Sequence, residues 1–164
     1  MAALMTAMLV EGLFPPPPLP IPVKWGLSNV VIMQSLLFFG PVDAAVLVAV
    51  RSLYGLAVRG PLAALLSFGG GIVSLLVMAL GDRLSEHRIS LVAVSSLGGI
   101  CHNLTQWLIY VFVFSLLPAR SFLYLGPPLM LLGLIAGIVT GIIAKYVRIP
   151  LWSSYKQKSA TGDK

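Results

Sequence analysis

Apolar residues run in long blocks along this chain, and the blocks are separated by prolines, glycines and basic residues. A membrane-crossing helix needs about 20 mostly apolar residues. Read on that scale, the pattern predicts six helical segments. The first is Met1 to Phe14, short for a span, and the second runs from Trp25 to Gly40. The third is Val42 to Val58 and the fourth Pro61 to Leu80. The fifth, Ile89 to Leu117, is long enough to tilt, and the sixth is Pro127 to Tyr146. Pro61 and Pro127–Pro128 fit helix starts, where a missing N–H costs nothing.

Between the first two segments stands "PPPPLPIPVK", residues 15–24, with six of the twelve prolines. It favours polyproline II over helix. The stretch is apolar apart from Lys24, so it reads as a stiff cap over the outer mouth of a bundle. Non-helical backbone at membrane depth is tolerated only against protein or water.

Composition fixes the solvent. The chain is 58% hydrophobic and 10% charged, with a mean hydropathy of +0.97. Soluble domains average about 25% charged residues, so this is an integral membrane protein. The net charge of +6 reads as cytoplasmic loop charge rather than as a nucleic-acid surface. Six spans place both termini on one side. With the termini inside, Arg83, Arg88, Lys145, Arg148, Lys156, Lys158 and Lys164 lie within, and Lys24, Arg59 and Arg120 outside. That seven-to-three bias predicts cytoplasmic N- and C-termini in a bacterial inner membrane. The apolar N-terminus has no basic leader and is not expected to be a cleaved signal.

In lipid, ionisable residues are functional candidates by default. Here they are Glu11, Asp43, Arg51 and His102, with Asn29, Gln34, Asn103 and Gln106 as neutral companions. Asp43 falls at an interfacial position. At ~1.5 Å per residue, Arg51 lies about 12 Å below Arg59, and His102 about 22 Å below Leu117. On the fifth segment Ser95, Gly99, His102, Gln106 and Tyr110 share one helical face. Gln34, Ser35 and Thr105 taken singly read as hydrogen-bond glue between helices. The set Glu11, Lys24, Asn29, Arg51, His102, Asn103 and Gln106 is predicted to form a ligand-binding pocket that opens outward. His102 and Gln106 would line its floor, with Lys24 and Glu11 at its mouth. Arg51 would offer a charged, planar donor fork to an anionic or carbonyl-bearing ligand, and His102 a neutral hydrogen-bonding ring.

Gly133, Gly137 and Gly141 recur every four residues, and Gly69 to Gly71 are consecutive. Both give flat faces for close helix contacts. Ala3 and Ala7 form a small-xxx-small pair suited to a partner helix. There is no Walker lysine motif. The five acids, Glu11, Asp43, Asp82, Glu86 and Asp163, are not spaced to suggest a Mg²⁺–diphosphate site, so an enzyme is not expected. Cys101 is the single cysteine, and His87 and His102 do not pair for haem or zinc; an axial haem ligand at His102 stays open. No metal site is expected.

The stretches "VKWGLSNVVIMQSLLFFGPVDAAVLVAVRSLYG", "GGGIVSLLVMAL" and "GGICHNLTQW" resemble the K-x-G-L-x-N opening, arginine helix, Gly-rich segment and His-Asn-x-x-Gln segment of the Gx transporter family. That family is also described as heptaprenyl diphosphate synthase component I. The likeness runs from Glu11 to Arg148. The family is similar to the substrate-binding S components of energy-coupling-factor (ECF) transporters. The resemblance implies a six-helix fold, an outer loop over a substrate site, and an Ala-x-x-x-Ala face on the first helix for a coupling subunit, which Ala3 and Ala7 match.

The expected fold is therefore all-α: a six-transmembrane-helix, ECF S-component-like bundle over residues 1–149, with a basic cytoplasmic tail over 150–164. The leading expected function is binding a small amphipathic or isoprenoid/quinone-related molecule for transport, with membrane lipid, a coupling subunit and an ATPase module as partners and no nucleic acid. Two alternatives stand beside it. One is an accessory subunit of a membrane electron-transfer complex, with quinone or flavin in the pocket. The other is a structural scaffold whose polar residues are all glue.

Overall fold

The computed structural model describes Thr6 and residues 27–84, 89–113 and 119–161. These residues are all-helical apart from short connections. Five helices follow in order: α1 (Leu27–Phe38), α2 (Pro41–Arg59), α3 (Pro61–Leu84), α4 (Leu91–Val113) and α5 (Ala119–Thr161). The segment Met1–Phe14 and the proline-rich residues 15–24 lie outside the described residues.

The expected count of six spans is not supported. Among the described residues, three stretches are long and apolar enough to cross a membrane: Pro41–Arg59, Pro61–Gly81 and Gly126–Val147. The protein is thus membrane-associated through at least these three. Helix α1 is apolar but only 12 residues long, about 18 Å at helical rise. Helix α4 has the length, at 23 residues, but His102, Asn103 and Gln106 in its middle lower its hydropathy. The polar residues that mark α4 as interesting are the ones that weaken it as a span.

Local chemistry sets the boundaries. Gly40 and Gly60 have φ of 100° and 90°, a left-handed backbone that only glycine adopts readily. Each ends one helix, and Pro41 and Pro61 begin the next with φ already set. Ser35 accepts from the amides of Phe39 and Gly40, at 2.9 and 3.1 Å, and closes the end of α1. Ser90 caps α4 through Oγ, which accepts from the Ala93 amide at 3.2 Å. Pro127 and Pro128 do not start a helix. Helix α5 begins at Ala119 and carries them inside it, each removing one N–H from the ladder. The same helix continues through Thr161, past the start of the basic segment at residue 150.

The helices close into a bundle around two small cores. Ile32, Ala44, Leu47, Val48 and Leu75 join α1, α2 and α3. Met33, Met78, Val94 and Ala144 join α1, α3, α4 and α5. Outside, Leu53, Leu76, Phe112 and Leu131 are exposed, as lipid-facing residues are. Lipid tails are as apolar as leucine, so helices associate in a membrane through close packing rather than burial from water. The glycines supply it. A Cβ on Gly99 would land on the Gly133 carbonyl oxygen, and one on Gly137 would sit 2.6 Å from the Ser95 oxygen. Gly141 packs on Val92 in the same way. Helices α4 and α5 therefore touch backbone to backbone, as the four-residue glycine spacing predicted.

Candidate polar cavity at the centre of the bundle

Asn29 and Arg51 meet because α1 and α2 form a tight antiparallel pair. Counted from Gly40, Asn29 lies eleven residues back and Arg51 eleven residues forward, so the two stand level. The Arg51 Nη1 donates to the Asn29 Oδ1, and the Arg51 side chain is buried. In lipid, an arginine is held this way only when protein groups replace its water.

On α4, His102 and Gln106 are four residues apart and share a face. The Gln106 Nε2 lies 3.0 Å from the His102 Nε2 and also donates to the Leu66 carbonyl of α3 at 3.3 Å. Gly70 makes room for this pair: a Cβ there would meet the His102 ring and the Gln106 Cγ at 3.0 Å. Asn103 turns the other way and donates to the Leu129 carbonyl of α5 at 2.7 Å. Thr105 bonds back within α4 to the Cys101 carbonyl at 2.8 Å, so its hydroxyl is not glue between helices. Gln34 does join two helices, donating to the Ala144 carbonyl at 2.7 Å.

Between these contacts lies a cavity of about 50 Å³. All five helices line it. Asn29, Arg51, His102 and Asn103 are in its wall, with hydroxyls from Ser74, Ser95 and Thr140. Of the seven residues predicted to bind ligand, four share this wall, and Gln106 holds His102 from behind. Glu11 and Lys24, and the partner-contact residues Ala3 and Ala7, lie outside the described residues. Tyr110, at the far end of the α4 stripe, is exposed and does not reach the cavity.

Ser74 and Thr140 were missed. Each is an isolated hydroxyl in a strongly apolar stretch of helix, a pattern that most often means a bond back to the preceding turn. A signal existed for Thr140. It follows Gly137 by three residues and precedes Gly141, so it shares the flat glycine face that packs on α4. Among the described residues that line the cavity, none is a carboxylate. Among the described residues, no three His, Cys, Asp or Glu side chains gather as a metal set.

Arg51 donates only, and Asn29, Asn103 and the hydroxyls both donate and accept. Such a cavity favours a ligand group that accepts hydrogen bonds. Its volume holds about four waters, taking one water per ~10–15 Å³ of such space. That suits a single small polar group, far below the ~300–1,000 Å³ of sites for drug-sized molecules.

A family model described as heptaprenyl diphosphate synthase component I matches residues 1–147. No curated protein and no solved structure matches the chain.

Proposed function

The chain belongs to the heptaprenyl diphosphate synthase component I family, and on that premise we propose that it is a non-catalytic, substrate-binding membrane subunit, similar to an ECF S component. It takes the polar head of a small amphipathic, isoprenoid-related molecule into the central cavity and passes it on with partner subunits. The observation that carries this reading is the convergence of Asn29, Arg51, His102 and Asn103, from three helices, on one cavity. Helix glue alone needs polar groups paired at scattered contacts. It does not need them gathered around a space.

The chemistry of the wall supports the ligand class. Arg51 presents a charged donor fork to an anionic or carbonyl head, and the surrounding amides and hydroxyls both donate and accept. The small volume favours a head group in the cavity with its chain elsewhere, and disfavours a flavin ring. The family description names a component, which supports further subunits as partners. It equally suits the second reading, an accessory membrane subunit of an isoprenoid- or quinone-linked complex.

Native mass spectrometry of the purified protein tests the proposal. A co-purified small molecule is expected in the wild type, and its loss is expected in Arg51→Leu and in His102→Leu, both still folded and membrane-inserted. Retention of the same molecule by both variants would reduce the polar set to helix glue.

A further inference from the structure

Helices α3, α4 and α5 are tied together by glycine contacts that leave no slack, but α1 is held differently. It is 12 residues long, and among the described helices its main neighbours are α2 and α5. Its side-chain hydrogen bond to α5 comes from Gln34, beside the apolar cluster that holds Met33 and Ala144. The Gln34 Nε2 donates to the Ala144 carbonyl, while the buried Gln34 Oε1 has no partner among the described residues. Turning the amide over would set two oxygens against each other, so the orphan is built in. Ala144 lies inside α5, where the helix ladder already engages its carbonyl. The carbonyl's second lone pair takes the Gln34 bond, but the amide leaves an acceptor unsatisfied in apolar surroundings, which is unfavourable.

Six residues past Gln34, the C-terminal end of α1 turns into α2. Gly40 joins α1 to α2 in a left-handed conformation, with nothing within 4 Å of where a Cβ would be. Asn29 and Ile32, on α1, are part of the cavity wall. Movement of α1 away from α5 would therefore open the cavity sideways.

We infer that the cavity loads from the lipid phase, through the seam between α1 and α5, with Gln34 as a weak clasp and Gly40 as the hinge. The inference rests on the cavity being a ligand site. It narrows the ligand to a membrane-dissolved amphiphile. The head replaces the Asn29 Oδ1 as acceptor for Arg51, and the chain trails through the seam. Displacing Asn29 from Arg51 also releases α1, so binding and opening are the same event.

The test uses the full-length protein in lipid nanodiscs doped with a phospholipid that carries a diazirine on its acyl chain. On irradiation, only positions that meet lipid are labelled. Met33 and Ala144 are 1% and 0% exposed, yet both are expected to take label as the seam parts. Val48 and Leu75, 1% and 4% exposed between α2 and α3, are expected to stay unlabelled. Gln34→Leu removes the orphan oxygen and should cut labelling of Met33 and Ala144 at least fivefold. Gln34→Met, similar in length and unbranched, guards against a packing defect in the leucine variant. Absence of label at Met33 and Ala144, or equal label at all four positions, would overturn the seam. Unchanged or increased labelling in both Gln34 variants would overturn the clasp. The readout needs no ligand, so its failure is separate from a failure of the pocket reading, which is judged by ligand retention in Arg51→Leu.

Discussion

Arg51 of α2 donates to Asn29 of α1 across 22 residues of sequence, and the bond puts a buried guanidinium against a neutral amide. The two are coupled through the cavity wall and not through a shared helix. Hydrogen bonds to charged groups contribute about 1.5–3 kcal/mol in water-soluble proteins. Polar contacts in membranes average about 0.6 kcal/mol, because the dissociated helices also find partners. Burial of the charge favours the upper range here. A double-mutant cycle of Asn29→Ala and Arg51→Met, read by unfolding in mixed micelles, should give a coupling above about 1 kcal/mol. A coupling near zero would mean that Arg51 is held by its other contacts.

The glycines predict opposite signs at two positions. Alanine is favoured over glycine in a helix by about 1 kcal/mol, so a harmless Gly→Ala change stabilises. Gly81→Ala should do so by about 0.5–1 kcal/mol, because its Cβ would meet only Val94 methyls at 3.8 and 3.9 Å. Gly99→Ala should destabilise by about 1–3 kcal/mol or more, since its Cβ falls on backbone of α5 that cannot move aside. Thermal unfolding of the two variants decides the matter. Equal effects would show that α4 and α5 are not in backbone contact.

The same contrast explains what the sequence made legible. The glycine spacing was readable because it fixes a surface shape, and shape survives without knowing the partner. The Asn29, Arg51, His102 and Asn103 set was readable because charges and amides are rare in lipid and need a reason. The starts of α2 and α3 follow from Gly–Pro pairs that set φ locally. The start of α5 did not, because Pro127 and Pro128 look like a beginning, and only tertiary contacts decide that helix continues before them. A Cβ on Gly126 would meet the Trp107 ring at 3.4 Å, so α5 and α4 lie close there, which no local pattern announces. Ser74 and Thr140 were hidden for a related reason: a lone hydroxyl in a helix can always bond to its own backbone.

Lys145 and Arg83 are both exposed at the ends of apolar stretches, and the seven-to-three basic bias read from the sequence leads us to expect cytoplasmic termini. In a Cys101→Ser background, a cysteine at Lys164 should resist a membrane-impermeant maleimide in intact cells and react after lysis. Labelling in intact cells would invert the expected arrangement.

The contact between Gln106 and His102 fixes where the ring proton sits. A carbonyl oxygen only accepts, so the Leu66 oxygen requires the amide nitrogen of Gln106, not its oxygen, at 3.3 Å. That same nitrogen lies 3.0 Å from the His102 Nε2. An amide nitrogen only donates, so the His102 Nε2 accepts and carries no proton. The ring is then the neutral tautomer with its proton on Nδ1. An imidazolium would set N–H against N–H. Nitrogen-15 spectra of labelled protein check this directly, with His87→Gln leaving His102 as the single histidine. The Nε2 signal should fall in the unprotonated range and Nδ1 in the protonated range. Gln106→Leu removes the donor and should yield a mixture of tautomers, with a loss of about 1 kcal/mol in stability from the broken contacts. A protonated Nε2 in the unaltered side-chain pair would mean that Gln106 does not orient the ring. The cavity wall would then lose its fixed geometry at His102.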